Sequence, residues 1–497
     1  MHLFGNKTLI FAIVVYSLIY LFFFPSFYGS IDENASLRNA MLLSQGQISV
    51  LEDEPFFACR SVLTSQGFVS VYPVGRSFPL IPFIGGGLST VFFYGLIIHL
   101  LNFFIFFQIL KKLNFNSIYS IFYLLFPTLV WESRTLNAEL FVATLALTGL
   151  YFYLSRERFF FALFSGFLFG LAVFIREDAI QFWGVFCAAL LLKKDKKIIP
   201  FAIGGLIAVI LFFVFNNALL GEVSSRSETT LAKVSSYFSI SNFLFDLPIY
   251  FLLLLAVFPL LILSPYLQKQ FELKIEFFLL TISYFAFNAM FTEFVAFDFS
   301  LETIFTARLR YLVPLIAILL IAYAGFFPKL LEKLRLIKWE KPIFLLVLLV
   351  LFLGIIYASF IHDRFLDSRK TVLNQIQSVI PDSAWVIGSS DDCSYFLKNF
   401  LGNQGYFNVV PKSDLGTTYS DFNILEYAQG RQLYVLDLTY SNLSKNTSTR
   451  QTVIDHERSK LKEFIEIHSS ELSLVYETKN PHSLKIYRFK EGFQDEN

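Results

Sequence analysis

Two carboxylates, Asp32 and Glu33, stand side by side in "FYGSIDENASLRNA", just beyond the apolar run Leu9–Phe24. Other charged residues punctuate later apolar blocks. Glu132, Arg134 and Glu139 fall in "WESRTLNAE", Arg176, Glu177 and Asp178 in "IREDA", Glu293 and Asp298 in "FTEFVAFDFSLE", and Arg308 and Arg310 in "TARLRYLVP". The stretch after the first apolar run adds Arg38, "LEDEP", Arg60 and Arg76. A carboxylate can take the proton of an attacking hydroxyl as a general base. Arg offers a planar fork of donors to a phosphate and stabilises charge that grows on a departing one. Together these residue types suit a transfer reaction with an anionic leaving group. They also have a plainer use, pairing to knit loops together or capping helix ends, and "LEDEP" reads as a solvated loop. With Asp32 and Glu33 as an acidic N-terminal cap, a helix over 34–43 would gain about 0.3–1 kcal/mol through its dipole.

The elements that must position these residues are set by a bilayer. The chain has 497 residues, 55% of them hydrophobic and only 16% charged, where a soluble chain carries roughly 25% charged residues. A net charge of +1 gives no general attraction to nucleic acid. A span needs roughly 20 mostly apolar residues. About eleven candidates lie near 8–24, 81–110, 116–131, 136–154, 159–175, 178–192, 198–220, 246–266, 275–296, 307–327 and 342–361. The first has an apolar core too long for a signal peptide and no A-x-A-like cleavage site ahead of Asp32, so it reads as an uncleaved span.

Lys and Arg in short loops orient such a chain. With the amino terminus inside, the inner loops "KKLNF", "SRERF", "KKDKK", "QKQFELK" and "PKLLEKLRLIKWEK" hold fifteen of them. That bias predicts a cytoplasmic amino terminus and an extracytoplasmic tail. It puts the first loop, about 25–80, and the carboxylates and arginines above on the outer side. Ionisable residues kept at a membrane usually mark a substrate path.

From about His362 the chain turns polar. Strand-like runs at "AWVIGSS", "QLYVLDLTY", "LSLVYE" and "LKIYRF" alternate with helix-like stretches, which predicts a small α/β domain over 362–497 after a membrane domain over 1–361. Cys59, Cys187 and Cys393 are isolated, without C-x-x-C spacing, and indicate neither a zinc site nor a disulfide framework; Cys59 and Cys393 would pair only from one compartment. Asn442 and Asn446 match the glycosylation sequon, a pattern that also arises by chance.

Several stretches, in order, resemble the GT-C membrane glycosyltransferases, in particular the branch of protein O-mannosyltransferases and the aminoarabinose transferase acting on lipid A. An acidic pair directly after the first span is similar to that family's signature. "VYPVGRSFPLIPF" resembles its Y-P-x-G or H-P-P element, and "LLFPTLVWESRTLNAELFVATLALTGLYFYL" its apolar helix ending in an Arg and an acidic residue. "SGFLFGLAVFIREDAI" resembles its G-x-x-x-G-L-A-x-x-x-R element, and "RLRYLVPLIAILL" its late R-Y-x-x-P helix. The likeness covers about residues 8–330. It implies a GT-C-like helical membrane domain that moves a sugar from a polyprenyl-phosphate carrier to a lipid, glycan or protein acceptor, with inversion. Asp32 would then be the general base, with Glu33 beside it orienting the acceptor or a bound cation. Glu139 would be a supporting acid, and Arg308, Arg310 and Arg134 would face the donor phosphate. "IRED" departs from the commoner R/K-x-T/P pattern, which puts the role of Arg176 in question. Some branches use a divalent cation and others do not, and no His-rich or D-x-D cluster in the outer loops decides between them. The competing reading is a transporter or flippase of lipid-linked sugars. It predicts charges near the bilayer midplane and two related halves, and the spacing of the apolar blocks shows neither. An O-antigen ligase would need a large late outer loop with His and Arg. A scaffold presenting the tail would leave the first-loop acids dispensable.

Overall fold

The computed structural model describes residues 6–49, 61–64, 67–70, 72–155, 159–220, 240–258, 260–268, 271–290, 309–389, 392–396, 405–408, 432–439 and 449–490. Arg308, Glu293, Asp298, "LEDEP", Cys59, Asn442 and Asn446 lie outside them, and Cys187 is a free thiol.

Helix α1 (Asn6–Phe22) shows how a lipid-facing helix is built here. Ile10, Phe11, Val14, Leu18 and Leu21 are exposed along it, while Tyr16 and Tyr20 are buried. A polar group in an apolar interior needs a partner. Tyr16 donates to Ser133 Oγ at 3.0 Å and Tyr20 to the carbonyl of Phe92 at 2.6 Å. Helix α2 (Ile31–Ser44) follows, then a β1–β2 hairpin (Ser61–Thr64, Gly67–Ser70). Next come α3 (Phe93–Lys112), α4 (Pro127–Ser133) and α5 (Glu139–Tyr153). The apolar stretch 116–131 is not one helix. It breaks into a turn at Ser117–Ser120, a short helix at Ile121–Leu124, and α4, which starts at Pro127 where a missing N–H costs nothing. The stretch is buried almost throughout, and irregular backbone at membrane depth is tolerated inside protein.

Helices α6 (Phe159–Leu171) and α7 (Ile180–Leu192) lie on either side of the "IREDA" turn, and α8 (Ile198–Leu220) packs closely on α6. Small residues make that approach: a Cβ on Gly166 would stand 1.9 Å from the Phe201 carbonyl oxygen, and one on Gly204 1.9 Å from that of Leu163. Without a hydrophobic drive between helices in lipid, such backbone proximity lets dispersion hold them together. Helices α9 (Ile240–Val257), α10 (Lys274–Met290), α11 (Val313–Lys333) and α12 (Glu340–Val379) complete the bundle. Among the described residues, four helical stretches are long and apolar enough to cross a membrane: Leu88–Lys112, Ile198–Ala218, Arg310–Lys333 and Ile337–Val379.

Helix α12 has 40 residues, about 60 Å at 1.5 Å each. It runs unbroken through position 362, where the change to polar composition suggests a boundary. Its buried residues His362, Leu366, Arg369, Val372, Leu373 and Ile376 recur at helical spacing, so the polar turns keep an inward face. It leads into a five-stranded sheet of order β4-β3-β5-β7-β6. The strands are β3 (Trp385–Gly388), β4 (Gly405–Asn408), β5 (Leu433–Thr439), β6 (Leu472–Thr478) and β7 (Ser483–Phe489). Strand β3 is parallel to both β4 and β5, and every residue of it is buried, as expected where both faces are covered. Leu461 of α13 (Thr449–Ile467) packs with Trp385, Ile387 and Val435. This unit is tied to the rest by Asn34, whose Nδ2 donates to the carbonyl of Phe396 at 3.4 Å and to Tyr28 Oη at 2.8 Å.

Candidate active site

Helix α2 begins with a capping box. Ser30 is extended (φ −141°, ψ 159°) and its Oγ accepts from the Glu33 N–H at 3.3 Å. Glu33 Oε1 returns to the Gly29 N–H at 3.1 Å and the Ser30 hydroxyl at 3.2 Å, closing the box onto the residues ahead of the helix. Its other oxygen, Oε2, accepts from the Leu136 N–H at 2.9 Å and fastens α2 to the turn between α4 and α5. Glu33 is therefore engaged at both oxygens and only 2% exposed. Burial raises its carboxyl above the ordinary range, against the Leu136 N–H and Arg310, which favour the charge.

Asp32, one residue earlier on the helix, points elsewhere. Its side chain is 18% exposed. Tyr72 donates to Oδ1, and Arg310 Nη2 donates to Oδ2 at 3.1 Å. Arg310 precedes α11 and bridges further, its Nε donating to Glu139 Oε1 at 2.8 Å. Arg176 Nη1 donates to the same Glu139 oxygen, while its Nε and Nη2 form a fork on Asp178, both at 2.8 Å. Burial disfavours the Arg176 charge, but Asp178 and Glu139 outweigh it and hold the guanidinium above its usual value. Tyr311 lies beside both cations, its ring centroid 4.9 Å from the Arg176 guanidinium carbon and 5.2 Å from that of Arg310.

Below this chain sits Glu132, 1% exposed. Its Oε2 accepts from Thr135 Oγ1 at 2.9 Å and Asn137 Nδ2 at 3.4 Å. Burial and the neighbouring Glu139 push its carboxyl up to about 8. Among the described residues no group of three or more His, Cys, Asp or Glu side chains is disposed to hold a metal ion.

The fold thus brings together Asp32, Glu139 and Arg310 of the residues expected from sequence, with Glu33 just behind them. Arg308 lies outside the described residues. Arg134 goes to a different place: it donates to the Phe23 carbonyl and, at 3.2 Å, to His362 Nδ1, and burial lowers it to about 10. It ties the end of α1 to α12. Sequence reading left Tyr72 and Tyr311 without a role and Arg176 in question. The signal for Tyr72 was its place in "VYPVGR", and for Tyr311 the aromatic next to an Arg at a helix start.

The chain runs from a first helix and an acidic first loop to a late Arg-led helix and a small α/β unit. Among solved structures it is similar to ArnT from Cupriavidus metallidurans, both in the apo state and bound to undecaprenyl phosphate. The TM-scores are 0.62 and 0.61 at 12% identity, over 97% and 98% of this chain and 98% and 99% of those chains. It is also similar to the apo oligosaccharyltransferase of Archaeoglobus fulgidus, with TM-score 0.52 at 11% identity over 88% of this chain and 70% of that one. No protein-family model and no curated protein matches the sequence. At these identities the likeness is one of fold.

Proposed function

We propose that the chain is a membrane glycosyltransferase that moves a sugar from a polyprenyl-phosphate donor to an extracytoplasmic lipid, glycan or protein acceptor. The observation that carries this reading is the Asp32–Arg310–Glu139 bridge, a base and a phosphate-type cation held in one site. Asp32 takes the proton of the acceptor hydroxyl as its oxygen attacks the anomeric carbon. The bond from that carbon to the phosphate oxygen breaks on the opposite face, and the carrier phosphate departs with the electron pair, inverting the centre. Arg310, with Arg308 two residues before it, stabilises the departing phosphate, and Arg176 adds a second cation. Glu139 aims both guanidinium groups. Arg134, whose Nε and Nη1 donate to His362 and Phe23 and whose Nη2 faces Asp363 at 3.9 Å, serves packing in this scheme. The Lys-rich loops favour a cytoplasmic amino terminus. The carboxyl-terminal α/β unit then lies outside the membrane, consistent with its contact to α2.

That one protein of the same fold is described bound to undecaprenyl phosphate supports a polyprenyl carrier. The test supplies the purified protein in nanodiscs with polyprenyl-phosphate sugars and an acceptor lipid extract. Release of free carrier phosphate is expected. Translocation of the lipid-linked sugar across proteoliposomes without any release would instead establish the transporter.

A further inference from the structure

The five residues Tyr72–Arg76 have no part in the chemistry above, yet they touch three pieces of the site. Tyr72 donates its hydroxyl to Asp32 Oδ1, the oxygen that Arg310 leaves alone. Pro73 (φ −53°, ψ 134°) then turns the chain into a single 3-10 turn, Val74–Arg76. Gly75 lies against the backbone two residues ahead of Arg176: a Cβ there would stand 2.5 Å from the Phe174 carbonyl oxygen. Arg76 closes the turn. Its guanidinium carbon lies 4.6 Å from the centre of the Tyr72 ring, and its Nη2 donates to Asn137 Oδ1 at 3.5 Å. Three of these residue types have a physical reason here. Only a phenol reaches across to Oδ1 while offering a ring face to Arg76, only Pro presets the entry, and only Gly permits the approach to Phe174.

We propose that this turn is the positioning element for Asp32, with Tyr72 as the positioning residue that fixes the carboxylate against Arg310. A carboxylate has about four lone-pair sites. Tyr72 and Arg310 bind one oxygen each from separate elements, so the group's orientation is fixed from two sides. Among the described residues, the charged or titratable groups near Asp32 and Arg310 include Glu33 on the same helix, Arg76 on the turn, Tyr311 and Arg176 beside Arg310, Glu139 at the start of α5 and Glu132 at the end of α4. The catalytic consequence rests on the reading of Asp32 as base. The positioning itself does not.

Tyr72→Phe keeps the ring beneath Arg76 and removes only the hydroxyl. In full-length protein in nanodiscs, the protonation midpoint of Asp32 is read by infrared difference titration of its carboxyl band, assigned by the band's loss in Asp32→Asn. Losing a donor to the charged form should move that midpoint up by about one pH unit. Turnover of a polyprenyl-phosphate sugar should fall about tenfold to a hundredfold in kcat, with KM for the donor little changed. A merely structural role for Tyr72 would lower the melting temperature and leave both readings alone. An unchanged midpoint overturns the proposal, as does unchanged kcat in a protein whose Asp32→Asn variant is inactive. If Asp32→Asn keeps the parent's turnover, the base assignment fails instead, and the infrared midpoint still decides whether Tyr72 holds the carboxylate.

Discussion

Asp32 and Arg310 are 278 residues apart in the chain, and Asp32 Oδ2 and Arg310 Nη2 are 3.1 Å apart in the fold. The same guanidinium reaches Glu139 through Nε at 2.8 Å. A phosphate arriving here must share a cation that two carboxylates already hold. A fork with several donors can do this where a point charge cannot. Arg310→Lys is therefore expected to weaken donor binding at least tenfold despite keeping the charge. Arg310→Ala removes the cation that bridges Asp32 and Glu139, leaving Glu139 to Arg176, and should also cost about 3–5 kcal/mol of stability, as breaking a buried pair does. Donor affinity by calorimetry and thermal unfolding in detergent check the two effects separately. Parent-like donor affinity in both variants excludes Arg310 as a phosphate ligand.

The two neighbouring acids should separate on substitution. Glu33 has its oxygens on Gly29, Ser30 and Leu136, so Glu33→Gln, which keeps one acceptor oxygen and sets an NH2 against the other donors, should cost about 1–3 kcal/mol of stability while holding turnover of the folded protein within about tenfold of the parent. Ser30→Ala should lower stability by about 1 kcal/mol through the lost cap. If Glu33→Gln folds normally and abolishes turnover, Glu33 takes part in the chemistry.

Glu132 gives a pH dependence of stability with a definite sign. Its folded carboxyl is raised from an ordinary value of 4.5 to about 8, so between those pH values the folded state binds the extra proton. Stability from this group is present below the unfolded value and is lost as pH rises toward about 8. Glu132→Gln removes the dependence. Its melting temperature should fall less than the parent's between pH 5 and pH 8, and parallel curves would show that Glu132 titrates normally.

Arg134 should behave as a packing residue. Arg134→Met leaves the Phe23 carbonyl and His362 without their donor, and it should destabilise the protein by on the order of 1–3 kcal/mol. Donor KM in the folded fraction should stay within twofold of the parent. A large rise in donor KM at unchanged stability would return Arg134 to the phosphate site.

What could be read in advance divides along physical lines. The carboxyl-terminal unit was legible because β3, β5, β6 and β7 carry apolar or alternating runs. Strand β4, only Gly405–Asn408, is too short for a period to register. The apolar stretch 116–131 promised one helix, since composition reports burial and not the break that Pro127 introduces. In the site, Asp32, Glu139 and Arg310 stood out because charge next to a bilayer is costly. Arg134 stood out for the same reason, and yet its guanidinium serves the join between α1 and α12. Charge in a sequence marks a residue that needs partners without saying which ones. Tyr72 was hidden for the opposite reason: among so many aromatics it stands out only by its place in "VYPVGR", which does not say that its hydroxyl reaches Asp32.

The most direct test of the account is the rate at which Asp32→Asn protein releases free carrier phosphate from a polyprenyl-phosphate sugar, with acceptor present and folding verified. Removing a general base typically costs a factor of about 100 to 10,000, and a loss in that range with donor binding retained is the predicted result. Release at the parent's rate by the folded variant would contradict the assignment of Asp32 and, with it, the mechanism.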